Sequence, residues 1–100
     1  MSLETEEILR DLSRNAESVC RHYLPAGRRE GSYWMVGDLQ NNPGRSLFVR
    51  LTGPTSGAGA SVKWTDSATG EHGDLLDIIR ERAGITRFPD LLAEARMHLG

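Results

Sequence analysis

Two stretches decide how this chain folds: Ser32-Tyr33-Trp34-Met35-Val36-Gly37-Asp38 and Ser46-Leu47-Phe48-Val49-Arg50-Leu51-Thr52. Both are rich in aromatic and branched residues and are bounded by Gly, Asn, Pro and Asp, which is the composition of short β-strands. Successive side chains of a strand point to opposite faces. Trp34 and Val36 therefore share a face, as do Leu47, Val49 and Leu51, while Tyr33, Met35, Phe48 and Arg50 take the other. A third such segment runs from Ala60 to Thr65 and contains Lys63 and Trp64. Asn41, Asn42, Pro43 and Gly44 supply turn chemistry for the first connection, and Gly53, Pro54, Gly57 and Gly59 a longer tip for the second. The pattern predicts an antiparallel meander of three to four strands over residues 32–66, which needs a partner layer on one face.

The flanks supply that layer. Ile8, Leu9, Leu12, Ala16, Val19 and Tyr23 recur at steps of three and four, the stripe of an amphipathic helix predicted over residues 3–24. Glu4, Glu6 and Glu7 favour the positive end of its dipole, Arg21 and His22 lie near the negative end, and Pro25 and Gly27 stop it. Ser67, Ala68, Thr69 and Gly70 read as a turn leading to Gly73. Asp74 and Asp77 have the spacing of a capping box opening a helix over 74–83, with Leu75, Leu76, Ile78 and Ile79 on its apolar face and Gly84 at its C-cap. Pro89 fits the first turn of a last helix over 88–98, with Leu91, Leu92, Ala95 and Leu99 on one side. The expected fold class is α+β: a small antiparallel sheet flanked by an N-terminal helix and two C-terminal helices, in one domain over residues 1–100.

The chain has 100 residues, 38% hydrophobic and 26% charged, which suits one globular core and argues against disorder. Cys20 is the single cysteine, so no internal disulfide forms and a structural zinc site of three or four thiolates is excluded within one chain. The acidic N-terminus is not a secretory signal, and no apolar run approaches the roughly 20 residues that span a bilayer. The expected compartment is the reducing cytoplasm, with no membrane partner. The net charge of −2 is unevenly spread. Residues 1–20 hold five acids against two Arg, residues 21–64 six basic residues against two acids, and residues 65–100 seven acids against four Arg, giving −3, +4 and −3. A basic centre between acidic ends suits a polyanion, and equally the mixed surface of any soluble domain.

Within that centre Arg28, Arg29, Arg45, Arg50 and Lys63 are interleaved with Tyr33, Trp34, Phe48 and Trp64. Single-stranded nucleic acid binding uses cations for phosphates and flat rings for bases. Trp34 and Trp64 are expected as core anchors, which leaves the cations, with Phe48 or Tyr33 as stacking rings. Other chemistries fare worse. The stretch from Gly53 to Ser61 lacks the Gly-Lys-Ser/Thr ending of a phosphate-binding loop, so it reads as a hairpin tip. Cys20 and His22, two apart on a helix, diverge by about 200° and cannot share one metal ion there. No nucleophile elbow or framed carboxylate pair is present, and Asp74 and Asp77 are explained as helix-start residues. No catalytic residue and no cofactor is expected.

Residues Gly31 to Ile79 carry one further signal. Tyr33-Trp34, Val36-Gly37, Pro43-Gly44-Arg45-Ser46-Leu47, Val49-Arg50, Lys63-Trp64-Thr65-Asp66 and Thr69-Gly70-Glu71-His72-Gly73-Asp74-Leu75-Leu76-Asp77 occur in that order. This order resembles the amino-terminal domain of plasmid- and phage-type DNA primases and primase-helicases that carry a Toprim catalytic domain. It covers about half of the chain. The resemblance implies a zinc-ribbon-like sheet that engages single-stranded template. Gly73 and Asp74 match the Gly-Asp that opens a helix behind the last cysteine pair of the zinc-bearing relatives, but the ligand positions here are not cysteine. A metal-free ribbon is thus implied, with Trp34, Trp64 and Leu47 filling the place of the ion and Gly70, Gly73, Asp74 and Asp77 as structural residues. No acidic Toprim site lies within these residues. The first expectation is a non-catalytic, single-stranded-DNA-binding module that works with a Toprim primase domain or helicase. The second is a protein-interaction domain docking a replication protein through its first or last helix. The third, a small metalloprotein or enzyme, would hold about one zinc per chain.

Overall fold

The computed structural model describes residues 3–53 and 62–97. Helices α1 (Leu3–Arg14) and α2 (Ala16–Tyr23) lead into strands β1 (Arg28–Glu30), β2 (Tyr33–Val36), β3 (Leu47–Arg50), β4 (Lys63–Asp66) and β5 (His72–Asp74), followed by helices α3 (Leu75–Ala83) and α4 (Phe88–Met97). The strands form one sheet in chain order, and every neighbouring pair is antiparallel. The α+β class is as the sequence predicts, with five strands in place of three to four and a sheet reaching from residue 28 to residue 74. The added strands are edge strands of three residues each. Arg28-Arg29-Glu30 and His72-Gly73-Asp74 have no apolar alternation to announce them, and backbone pairing to β2 and β4 is what makes them strands.

The sheet's inner face carries the core. Trp34, Val36, Leu47, Val49 and Trp64 are all buried and form one cluster with Leu12, Val19, Leu24, Ile78, Ile79 and Leu91 from the helical layer. Both indole N–H groups are satisfied by helix ends: Trp34 Nε1 donates to the Leu24 carbonyl at 3.1 Å and Trp64 Nε1 to the Asp74 carbonyl at 2.9 Å. A buried Trp without such a partner would lose the net value of its hydrogen bond and bear the cost of desolvation. Gly73 lies opposite Trp64 in the register. A Cβ there would overlap the Asp77 carboxylate and press on the indole, so the close approach requires glycine.

The single helix expected over residues 3–24 is two helices, interrupted at Asn15. Asn15 leaves helical geometry (φ −120°, ψ 23°), its Nδ2 donates to the Asp11 carbonyl at 3.0 Å, and its backbone N–H donates to the carbonyl of Leu12 instead of Asp11. Short amide side chains compete in this way with the helix ladder. The apolar stripe crosses the break in phase, from Ile8 and Leu12 to Ala16, Val19 and Tyr23, so both helices bury the same face.

The helix predicted over 74–83 starts one residue later. Asp74 is the last residue of β5 and the N-cap of α3, accepting from the backbone N–H groups of Leu76 and Asp77, while the Asp77 carboxylate accepts from the Asp74 N–H at 2.9 Å. Gly84 caps the other end at φ 68°. Leu91, Leu92 and Ala95 are buried in α4, while residue 98, Leu99, Ala60, Ser61 and the glycine-rich tip beyond Gly53 lie outside the described residues.

Candidate nucleic-acid interface

Strand pairing fixes what stands on the face opposite the helices. In one row across the sheet Glu30 is paired with Tyr33 and Tyr33 with Arg50. The regular β3–β4 pairing ends at Val49 and Trp64, where the Val62 N–H donates to the Arg50 carbonyl, so that Lys63 starts β4 close to Arg50 and is itself paired with Asp74. In the next row Arg28, Met35, Phe48, Thr65 and His72 follow in order. Alternation thus places Tyr33, Met35, Phe48, Arg50 and Lys63 away from the core, as the sequence pattern demands. Tyr33 and Phe48 meet edge to face, with ring centres 5.7 Å apart. Arg50 lies against the tyrosine, its guanidinium carbon 5.9 Å from the ring centre and Nη1 donating to the Tyr33 hydroxyl at 3.3 Å. Its Nε donates to the Thr52 carbonyl at 2.9 Å. The guanidinium is thereby held in place on the sheet.

The remaining cations are placed differently. Glu30 takes Arg45 on Oε1 at 2.7 Å and Arg28 on Oε2 at 3.2 Å. Arg29 shares the inward parity of Trp34 and turns to the helical layer, where Glu17 of α2 holds it together with Arg21. Hydrogen bonds from Arg21 and Arg29 hold the Glu17 carboxyl below its ordinary range. Arg21 in turn covers Trp34 from the helix side, 5.2 Å from the ring centre. Arg29 is therefore separated from the other residues expected to bind nucleic acid. Among the described residues, Arg50 and Lys63 are the cations of the central segment that make no ion-pair contact, although Lys63 stands directly across from Asp74 of β5, whose carboxylate feels its charge.

Glu30 is not apparent from the sequence as part of this surface because its partners come from two separate segments. Its signal is a parity relation: it lies two residues from Arg28 on one strand and directly across from Tyr33.

At the opposite pole a cleft of about 340 Å³ lies among Asp38, Asp66, Glu71 and Glu81, with Trp64 and Leu39 in its wall. Asp38 is occupied with its own loop, accepting from Asn42 Nδ2 at 2.8 Å and from the backbone N–H groups of Gln40 and Asn42, and the Asn42 contacts hold its carboxyl below the usual range. Asp38, Asp66, Glu71 and Glu81 thus gather at the end of the strands away from the Tyr33–Arg50 pair, while Asp74 stands beside Lys63. Among the described residues no group of three His, Cys, Asp or Glu is placed to hold a metal ion. Cys20 is fully buried, and burial, aided by the nearby Glu17 charge, pushes its thiol up to about 12. His22 stands edge-on to Tyr23 with ring centres 4.8 Å apart. No helix among the described residues is long and apolar enough to cross a membrane.

No protein-family model matches the chain, and neither the curated proteins nor the solved structures provide a significant match.

Proposed function

We propose that this chain is a non-catalytic, single-stranded-DNA-binding module that uses the helix-free face of its sheet. The observation that carries the reading is the grouping of Tyr33, Phe48, Arg50 and Lys63 on the face away from the core: two half-buried rings, a guanidinium with no ion-pair contact among the described residues, and an exposed lysine whose carboxylate neighbour, Asp74, is engaged in capping α3. Cations neutralise phosphates and rings stack on bases, with stacking contributing about 1–3 kcal/mol per base. The acidic cleft at the other pole orients a polyanion toward the sheet. Together with the primase-like order of residues from Gly31 to Ile79, this supports reading the chain as the template-engaging front of a plasmid- or phage-type primase. It works in the cytoplasm beside a Toprim domain or helicase, in a zinc-free form whose centre is filled by Trp34, Trp64 and Leu47.

The test is fluorescence anisotropy with labelled single-stranded oligodeoxynucleotides at low salt. Binding that weakens steeply with salt is expected, and Arg50→Glu with Lys63→Glu reduces it by about tenfold or more, since each of two phosphate contacts is not only lost but replaced by repulsion. No anisotropy change with the unaltered protein overturns the reading.

A second reading, docking of a replication protein through the last helix, draws on Phe88 and Met97, which are 47% and 77% exposed at the two ends of α4. Association of a purified replication protein that withstands high salt and is lost in Phe88→Ala/Met97→Ala, with no oligonucleotide binding, would favour it.

A further inference from the structure

We infer that Glu30 is a built-in competitor of the phosphate backbone: it occupies the anion seat formed by Arg28 and Arg45 and thereby holds down the affinity of the sheet face for polyanions. The inference rests on the reading of that face as a nucleic-acid interface and assigns the residue that limits it.

Two guanidiniums from separate parts of the chain converge on this one carboxylate. Arg28 stands two residues before Glu30 on β1, so the two share a face, and Arg45 arrives from the loop before β3, fifteen positions later in the chain. Each takes a different oxygen, which is how a pair of guanidiniums would also grip a phosphate. Exposure is distributed to match. The Arg28 and Arg45 side chains are 74% and 65% accessible, while that of Glu30 is 30%, so the acid lies beneath the cations that cover it. Arginine carries five N–H donors and each of these spends one on Glu30, leaving the rest for a further anion.

Glu30 also stands in the row of Tyr33 and Arg50. A strand crossing the sheet along that row meets Lys63, which stands across from Asp74, then Arg50, passes the tyrosine, and reaches a triad whose charge the acid has halved, from +2 for the two guanidiniums alone to +1 with Glu30 between them. Exposed ion pairs of this kind are weak, so a phosphate displaces the carboxylate without unfolding anything, and the result is modest affinity with room to rise.

The test compares the full chain with Glu30→Gln, titrating fluorescein-labelled oligodeoxythymidine over a range of salt concentrations. Glu30→Gln is expected to bind several-fold to tenfold tighter at low salt, and the slope of log K against log salt is expected to steepen by about 1.4, two phosphate contacts at roughly 0.7 each for a single strand. Arg28→Ala with Arg45→Ala in the Glu30→Gln background is expected to abolish the gain, with both values at or below those of the parent. Glu17→Gln is the control, since it removes the same charge and releases Arg21 and Arg29 on the helix side. An equal gain from Glu17→Gln, or no change in Glu30→Gln while the parent binds, overturns the inference and leaves the interface standing. Absence of binding by the parent and by Glu30→Gln alike overturns the interface and the inference with it.

Discussion

Gly73 shows how much of this fold is decided by single residues. It faces Trp64 across the β4–β5 pair, directly beneath the Asp77 carboxylate that closes the capping box, and no side chain fits between them. Gly73→Ala is expected to destabilise the protein by about 1–3 kcal/mol through overpacking, read as a lower midpoint in urea unfolding. Trp34→Ala removes the largest fully buried side chain and leaves a cavity, at a cost of about 3–5 kcal/mol by the same measurement. Cys20 makes a chemical prediction. A thiol pushed up to about 12 by burial has almost no thiolate near neutrality, so folded protein resists Ellman's reagent and the denatured chain reacts promptly. These residues are visible in the sequence by type. Strand parity puts both tryptophans inside, and the Asp74–Asp77 spacing announces the cap. The Arg45 contact of Glu30 and the inward turn of Arg29 are not visible there, because the first joins segments fifteen residues apart and the second depends on Arg28–Glu30 being a strand at all, which no apolar alternation announces.

At the scale of elements, α3 has its boundaries written into its ends. Asp74 accepts two backbone N–H groups at the start, and Gly84 closes the other end in the left-handed region. Asp74→Ala is expected to cost about 0.5–2 kcal/mol, typical of a lost N-cap, with the fall seen in thermal or urea unfolding. The break at Asn15 works in the other direction. Replacing it with Ala removes the amide that competes for the Asp11 carbonyl and is expected to join α1 to α2, with helix content by circular dichroism raised slightly and stability raised by up to about 0.7 kcal/mol. Helices with a clear apolar stripe and capped ends are legible in the sequence. The edge strands β1 and β5 are not, since their residues are polar or glycine and their strand geometry comes from β2 and β4.

For the whole molecule, the architecture separates two jobs. Among the described residues, four helices lie on one side of the sheet and the other side presents Tyr33, Phe48, Arg50 and Lys63, while Asp38, Asp66, Glu71 and Glu81 line the cleft. Stability and function therefore respond to different variables. Glu17 ties β1 to α2 through Arg29, and its carboxyl is held below the ordinary value of 4.5 by Arg21 and Arg29. A folded value below the unfolded one means that its contribution is present above about pH 4.5 and fades as the pH falls further, when both states become protonated. Glu17→Gln is expected to flatten the acid limb of the unfolding midpoint against pH and to leave oligonucleotide affinity near neutrality unchanged.

The central claim is one of location, that the helix-free face of the sheet meets single-stranded DNA. Titrating isotope-labelled protein with an oligodeoxynucleotide and following its NMR spectrum tests this residue by residue. The expected result is shifts concentrated on the Tyr33 and Phe48 rings, the Arg50 side chain and the backbone of Lys63 and Thr65, reversed by added salt. Shifts confined to α4 around Phe88 and Met97, or a spectrum unmoved at saturating DNA, would contradict it.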